Sequence, residues 1–443
     1  MTTINLHELA NLDEAQRAAL LARTEADLST FLEPARRIVE AVREGGDAAI
    51  VRLAREIDKV ELDAQGLLAT EEEFEAAEKA LEPEVKEAIL YAVDNIRRFH
   101  EKQVPEPMWL EEIRPGAFAG ERWTPIPSVA CYVPRGKGAF PSVMMMTAVP
   151  AVVAGVKEVI VLTPATPEGG IDAASLFAAK ASGVSKVYRV GGAVAVAAAA
   201  FGTASIPKVA KIVGPGSPWV VAAKRLLGDH IDTGLPAGPS EAIILADATA
   251  NPDLAALDLL IEAEHGPDSS AYLVTDSREV AERALARLPE LIANLGPQRR
   301  EFVSKVLGGP RGGIVLAPSW KEALRFVNDY APEHLEVLSD EPFAHLGGIT
   351  EAGEILLGEN SVITIANFCL GPDCVLPTGG WARSFSALGV YDFMKRASIG
   401  YVTRAGYGEL ARQARVLATY EGFEAHAQAV SPLREKLAGK KES

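Results

Sequence analysis

Residues 186–228 read KVYRVGGAVAVAAAAFGTASIPKVAKIVGPGSPWVVAAKRLLG, and this stretch decides the fold. Twice a short β-branched run (186–190, then 208–213) passes through a glycine turn into an Ala-rich or amphipathic segment (193–202, then 218–228). Strand, tight turn and helix in repetition build a parallel sheet covered by helices, because parallel neighbours need a crossover connection. The same alternation lies upstream, with 129–133 before 142–155 and 159–163 before 173–183. A second block follows: strand 242–246, helix 253–264, strand 271–275, helical pattern 277–307, strand 313–317 and helix 320–330, with further strands expected at 335–338 and 355–357. Residues 1–105 are charged and helix-patterned, most clearly over 36–57 and 71–102, and from Tyr391 the chain reads as helical again before a charged tail. The fold class expected is α/β with two blocks of similar architecture.

At 443 residues the chain is long enough for two or three domains, each with its own apolar core. Sixty acidic against 44 basic residues give a formal charge of -16. Such a surface repels phosphate backbones and anionic lipid, so neither nucleic acid nor membrane is expected as a partner. The most apolar run, 143–156, is shorter than the ~20 residues that span a bilayer and contains Pro150. The acidic N-terminal stretch does not read as a secretory signal. Three cysteines, Cys131, Cys369 and Cys374, make no disulfide framework and point to a reducing compartment. A cytoplasmic protein is expected.

Two strand ends run into glycine turns that open helices: Val190-Gly191-Gly192-Ala193 and Val213-Gly214-Pro215-Gly216-Ser217. A helix N-terminus offers unpaired N–H groups and a positive dipole end, which suits a pyrophosphate. Neither turn is a full G-x-G-x-x-G fingerprint, and tight βα-turns need such glycines for packing alone. A third loop, running on from Tyr132, carries Arg135 and Lys137, read as a solvated rim.

Among the seven histidines, two have suggestive neighbours. Glu262 and His265 stand three apart at a helix end, spacing that suits either a shared cation or a solvent-facing pair complementing the helix dipole. Glu333 and His334 are adjacent after Pro332, and suit either an acid–base couple facing one cavity or a surface turn. Glu421 and His426 do not share a helix face, and spacing alone makes them an ordinary surface pair. Ser240 is no nucleophile elbow, because G-x-S-x-G is absent.

Taken in order, Tyr132-Val-Pro, Pro141-Ser-Val-Met-Met-Met-Thr-Ala-Val-Pro-Ala, Val213-Gly-Pro-Gly, Ala237-Gly-Pro-Ser-Glu, Ala263-Glu-His, Tyr330-Ala-Pro-Glu-His-Leu, Val375-Leu-Pro-Thr-Gly and Val390-Tyr-Asp-Phe resemble the histidinol dehydrogenases over roughly residues 30–430. The resemblance implies two Rossmann-like parallel-sheet domains with a helical N-terminal segment and a C-terminal dimerisation extension. It places an N-terminal arm at 1–25 and a discontinuous first α/β domain, bearing the metal and acid–base residues, at 26–125 with 241–385. The second Rossmann-like domain, on the NAD side, is 126–240. A helical extension, 386–443, is exchanged within a homodimer. The implied reaction takes L-histidinol through an aldehyde to L-histidine with two NAD. By the motifs, Glu333 activates water and His334 shuttles protons; Glu262, His265, Asn367 and the partner's His426 hold one zinc. Ser240, Glu421 and Cys374 fall on substrate positions, and Tyr132, Val194 and Ser217 on cofactor positions.

Several of these positions depart from the family pattern. Glu262 stands where the family has Gln and Asn367 where it has Asp, so one carboxylate, one amide and two imidazoles are kept and the ligand charge is unchanged. Cys374 replaces a pocket His; Val194 replaces a Gln and Ser217 an Asn on the nucleotide side. Three readings follow: a working histidinol dehydrogenase, a paralogue oxidising another amino alcohol or a sulfonated diol, and a catalytically silent binding homologue. The retained Glu333, His334, His265, His426 and Ser240 argue against the third. Ser240, Glu241 and Glu421 favour histidinol, whereas Cys374, Val194 and Ser217 favour divergence; the family's own reaction is taken forward.

Overall fold

The computed structural model describes residues 3–23, 28–135 and 138–438. Lys137, the expected arm boundary at 25/26 and the end of the charged tail lie outside the described residues. The chain divides into two units, 1–104 with 126–393, and 105–125 with 394–443. In chain order the elements are β1 (Leu6–Glu8), α1 (Glu14–Leu20), α2 (Ser29–Leu53), α3 (Glu71–Ala80), α4 (Pro83–Glu101), β2 (Met108–Arg114), β3 (Ala117–Pro125), β4 (Ser128–Tyr132), α5 (Pro141–Val153), β5 (Glu158–Thr163), α6 (Ala173–Ser182), β6 (Val187–Arg189), α7 (Gly192–Phe201), β7 (Lys211–Val213) and α8 (Pro218–Leu227). There follow β8 (Glu241–Ala246), α9 (Pro252–Ala263), β9 (Ser270–Thr275), α10 (Arg278–Ala293), α11 (Pro297–Leu307), β10 (Gly312–Leu316), α12 (Trp320–Tyr330), β11 (His334–Leu338), β12 (Glu354–Leu357), α13 (Ile363–Phe368), β13 (Met394–Val402), α14 (Arg404–Tyr420), α15 (Glu424–Ala429) and α16 (Pro432–Ala438). No described helix is long and apolar enough to cross a membrane.

The first unit contains two parallel sheets, ordered β6-β5-β4-β7 and β1-β10-β9-β8-β11-β12. Strands β8 to β11 are buried along their whole length, as expected of strands covered on both faces, and they read as continuous apolar runs for that reason. Local signals set the helix ends. Thr70 and Glu73 form a capping box at the start of α3, with bonds of 3.3 and 2.9 Å. Gly183, at φ 95°, closes α6 in the left-handed conformation.

The expected alternation of strands and helices from 129 to 357 matches the observed elements, but two expectations need correction. The helical segment within 26–125 packs mainly on the four-stranded sheet domain: α2 lies on α7 and α8, α3 on α6, and α4 on α5 and α6, while within 241–385 Cys369 and Asp373 are met by Asn95 and His100 of α4. The chain before α3 also bonds to the edge strand β6, through Ala69 N to Val187 O and Arg189 N to Leu67 O, each 2.8 Å. Nothing in a helical period says which sheet a helix covers. The C-terminal extension is not purely helical either. β13 pairs antiparallel with β3 over Met394–Val402, and β3 pairs with β2, so 105–125 belongs with the extension. β2 is exposed along its whole length, which removes the one-sided alternation that marks a half-buried strand.

Candidate functional site

Helix α9 leaves the carboxyl end of β8 and runs back alongside the sheet. Its last turn and the residues after it therefore return to the amino end of β8, next to the amino ends of β11 and β12. Register pairs His334 with Ala242 on one side and with Glu354 on the other. Side chains from six segments gather at this edge.

His334, 3% exposed, is the centre. Its Nδ1 lies 2.9 Å from Glu354 Oε2, while Nε2 stands 3.9 Å from Glu262 Oε1 and 4.0 Å from Glu333 Oε1. Nδ1 is thus engaged and Nε2 faces two carboxylates beyond hydrogen-bond reach. Burial alone would lower the ring's proton affinity, but the Glu354 hydrogen bond and the fields of Glu262 and Glu333 outweigh it and raise the pKa to about 9. Burial drives the Glu333 carboxyl well above the usual range, against the opposing pull of His334. Glu333 is fixed by accepting the Glu241 N–H at 2.8 Å. Gly353 admits the Glu333 backbone, since a Cβ there would stand 2.7 Å from the Glu333 carbonyl oxygen.

Glu262, 1% exposed, is the second node. Its Oε1 accepts from Asn367 Nδ2 at 2.8 Å and its Oε2 lies 3.1 Å from His265 Nδ1. Burial pushes its carboxyl up, yet His265 and His334, with hydrogen bonds from Asn367 and Ser240, hold it below its ordinary value. The structure therefore brings together Ser240, Glu262, His265, Glu333, His334 and Asn367. Cys374 joins them at the edge, its Sγ 3.9 Å from Glu354 Oε1, and burial followed by the surrounding carboxylates pushes its thiol up.

Glu354 was missed by sequence reasoning. It opens a four-residue strand twenty positions after His334, and only strand register brings the two together.

A carboxylate, an imidazole and an amide meeting at the C-terminal end of a helix form an N/O donor set of the kind zinc accepts, in a field that favours a cation. Among the described residues, no three His, Cys, Asp or Glu side chains are grouped to hold a metal ion; the set here has two such side chains, Glu262 and His265, with Asn367 beside them. Glu421 and His426 lie in the second unit, at the end of α14 and on α15, both exposed.

The residues expected on the cofactor side stand at the opposite kind of edge, the carboxyl ends of the four-stranded sheet. Tyr132 ends β4, and its buried hydroxyl accepts the Gly192 N–H at the start of α7, 3.1 Å away. Burial raises that phenol to about 12. Gly214, at φ 113°, passes so near β4 that a Cβ would fall 2.1 Å from the Tyr132 carbonyl oxygen. Val194 is buried in the first turn of α7, and Ser217 is exposed at the N-cap of α8 without a side-chain capping bond. The cavity beside α7, lined in part by Asp58, Arg189 and Val194, is about 10 Å³, room for roughly one water.

The family profile described as Histidinol dehydrogenase matches residues 21–433. "Histidinol dehydrogenase homolog 2" of Mesorhizobium japonicum is 60% identical over 99% of this chain and 100% of its own. "Histidinol dehydrogenase" of Synechocystis sp. is 48% identical over 96% of this chain and 97% of its own. A crystal structure of histidinol dehydrogenase from Elizabethkingia anophelis superposes with a TM-score of 0.92 at 30% identity, covering 98% of this chain and 99% of that one. Profile, relatives and structure agree over nearly the whole length: the chain belongs to the histidinol dehydrogenase family.

Proposed function

We propose that this chain is an NAD-dependent, zinc-assisted dehydrogenase that oxidises L-histidinol through the aldehyde to L-histidine. The observation that carries the reading is His334, oriented at Nδ1 by Glu354 and open at Nε2, beside both Glu333 and the Glu262–His265–Asn367 cluster. When bound, NAD would accept hydride, while zinc at Glu262, His265, Asn367 and the partner's His426 would polarise the substrate and offset the negative field that keeps a proton on His334. His334 then takes the hydroxyl proton at Nε2. Glu333, held by the Glu241 N–H, draws a proton from water for attack on the aldehyde, and gives it up before the second hydride leaves. Ser240 and Glu421 fall on substrate positions of the family.

A homodimer with a shared site is part of this reading. It is supported by the large apolar side chains exposed in the second unit, among them Met108, Trp109 and Ile113 on β2 and Leu417, Tyr420 and Phe423 near the end of α14. Mixing His334→Ala with His426→Ala subunits is expected to restore activity, to about a quarter of wild type by random pairing in a twofold dimer. No recovery after exchange would remove the shared site.

A second reading has its own support. Cys374 stands where the family has a pocket histidine, and the four relatives at 54–62% identity carry the name "homolog". A thiol does not replace an imidazole as a donor, and a site lacking one polar partner accepts a different substrate. NADH formation by zinc-loaded enzyme, tested on L-histidinol and on a panel of amino and sulfonated alcohols, decides between them. Two NADH per L-histidinol are expected. Turnover of another panel member with none of L-histidinol favours the paralogue, and turnover of nothing overturns the dehydrogenase reading.

A further inference from the structure

Behind the site lies a buried acid pair that none of the chemistry above uses. Asp258 on α9 and Glu336 on β11 are 5% and 0% exposed, and their side chains meet. Glu336 Oε2 accepts the Ile363 N–H at the start of α13, 3.2 Å away. Its Oε1 has no donor among the described residues. Two ionised carboxylates in contact without a cation are strongly disfavoured in such a place, whereas one proton between them satisfies the orphaned oxygen. Burial pushes both carboxyls up; the neighbouring Asp258 raises Glu336 further, to about 9, whereas the Glu336 hydrogen bond partly offsets the rise at Asp258 and Glu359 adds to it.

The three elements joined at this point are those that carry the site. Asp258 is one helical turn before Glu262, Glu336 is two positions after His334 on the same face of β11, and Ile363 is one turn before Asn367. The far end of α9 is tied to the same region, because Glu359, which follows β12, accepts the Asn251 N–H at the α9 N-cap, 2.7 Å away. We propose that Asp258 and Glu336 are positioning residues: a proton-sharing carboxyl pair that locks α9, β11 and α13 together and so sets Glu262, His334 and Asn367 relative to one another. This rests on the zinc reading above.

Partners behind a metal site hold its ligands in place, and losing one commonly costs 10- to 100-fold in metal affinity. The test measures zinc dissociation by competition with a chelating dye, with kcat and KM alongside, on the full-length enzyme. Asp258→Asn replaces the shared proton with a permanent N–H and should hold zinc within about threefold of wild type. Asp258→Ala should lose zinc affinity at least tenfold, with kcat falling more than KM rises. Asp258→Leu combined with Glu336→Met guards against a folding failure, since apolar replacement of a buried polar pair commonly preserves the fold. It deletes the Ile363 tie and should weaken zinc just as much. Wild-type affinity in the Ala variant or the double variant, or an Asn variant as weak as Ala, overturns the positioning role alone. A wild-type chain that takes up no zinc overturns the zinc reading and this inference with it.

Discussion

The two parallel sheets of the first unit carry their candidate site residues at opposite edges. In the four-stranded sheet the order reverses between β4 and β7, and Tyr132 and the Gly214 turn stand at the carboxyl ends beside that reversal, where open α/β sheets usually bind ligands. The six-stranded sheet reverses between β8 and β11 in the same way, yet its reactive groups lie at the amino ends. Its carboxyl ends are closed by their own side chains. Asp247 accepts from Thr249 N at 2.8 Å and Thr249 Oγ1 at 2.5 Å, and His345 Nε2 lies 3.3 Å from Asp247 and 3.2 Å from Ser339 Oγ while its ring packs at a tilt against Trp320. Burial would raise the Asp247 carboxyl, and these partners hold it below its ordinary value instead. At the amino end three carboxylates, Glu262, Glu333 and Glu354, crowd one imidazole. Topology offers two edges, and the candidate acid–base residues gather at the one where carboxylates crowd an imidazole.

Breaking the amino edge should have the largest effect. His334→Ala is expected to lower kcat by on the order of 10²- to 10⁴-fold, the usual worth of a general acid–base group; a loss below tenfold in NADH formation would remove it from the chemistry. Next is Glu354→Gln. The Glu354 carboxylate raises the proton affinity of His334, so removing its charge lets the ring give up its proton at lower pH. Because the base must be neutral to act, the acid limb of the kcat/KM profile should move to lower pH. A limb that stays put or moves to higher pH contradicts the orienting role. Tyr132→Phe probes the other sheet. It strips the acceptor from the Gly192 N–H and should cost about 1 kcal/mol of stability, with the KM for NAD changing more than kcat. The control is the closed carboxyl edge: His345→Ala should alter turnover less than about twofold while lowering stability by about 1–2 kcal/mol. A larger loss of turnover there would dissolve the contrast between the edges.

Much of this arrangement was legible before any coordinates. Strand–helix alternation located every element of the two parallel sheets except β1, and the Glu262–His265 and Glu333–His334 pairs stood out from residue type and spacing. What escaped had a common cause, contact between distant segments. β2, β3 and β13 make one antiparallel sheet only by bringing 108–125 to 394–402, and their exposed faces carry no burial pattern to read. The helices α2 to α4 declare their periods but not the sheet they cover. Glu354 and the Asp258–Glu336 pair take their meaning from register and packing, which one-dimensional spacing does not encode.

The pairing of His334 with Glu354 ties reactivity to strand phase. A slip of β12 by a single residue against β11 would preserve a six-stranded sheet but turn Glu354 to the other face, leaving the imidazole without its orienting carboxylate. The connection from 339 to 353 therefore acts as a ruler. Insertions within it are tolerated only as far as they leave that alignment untouched, so its length is a property of the catalyst as much as of the scaffold.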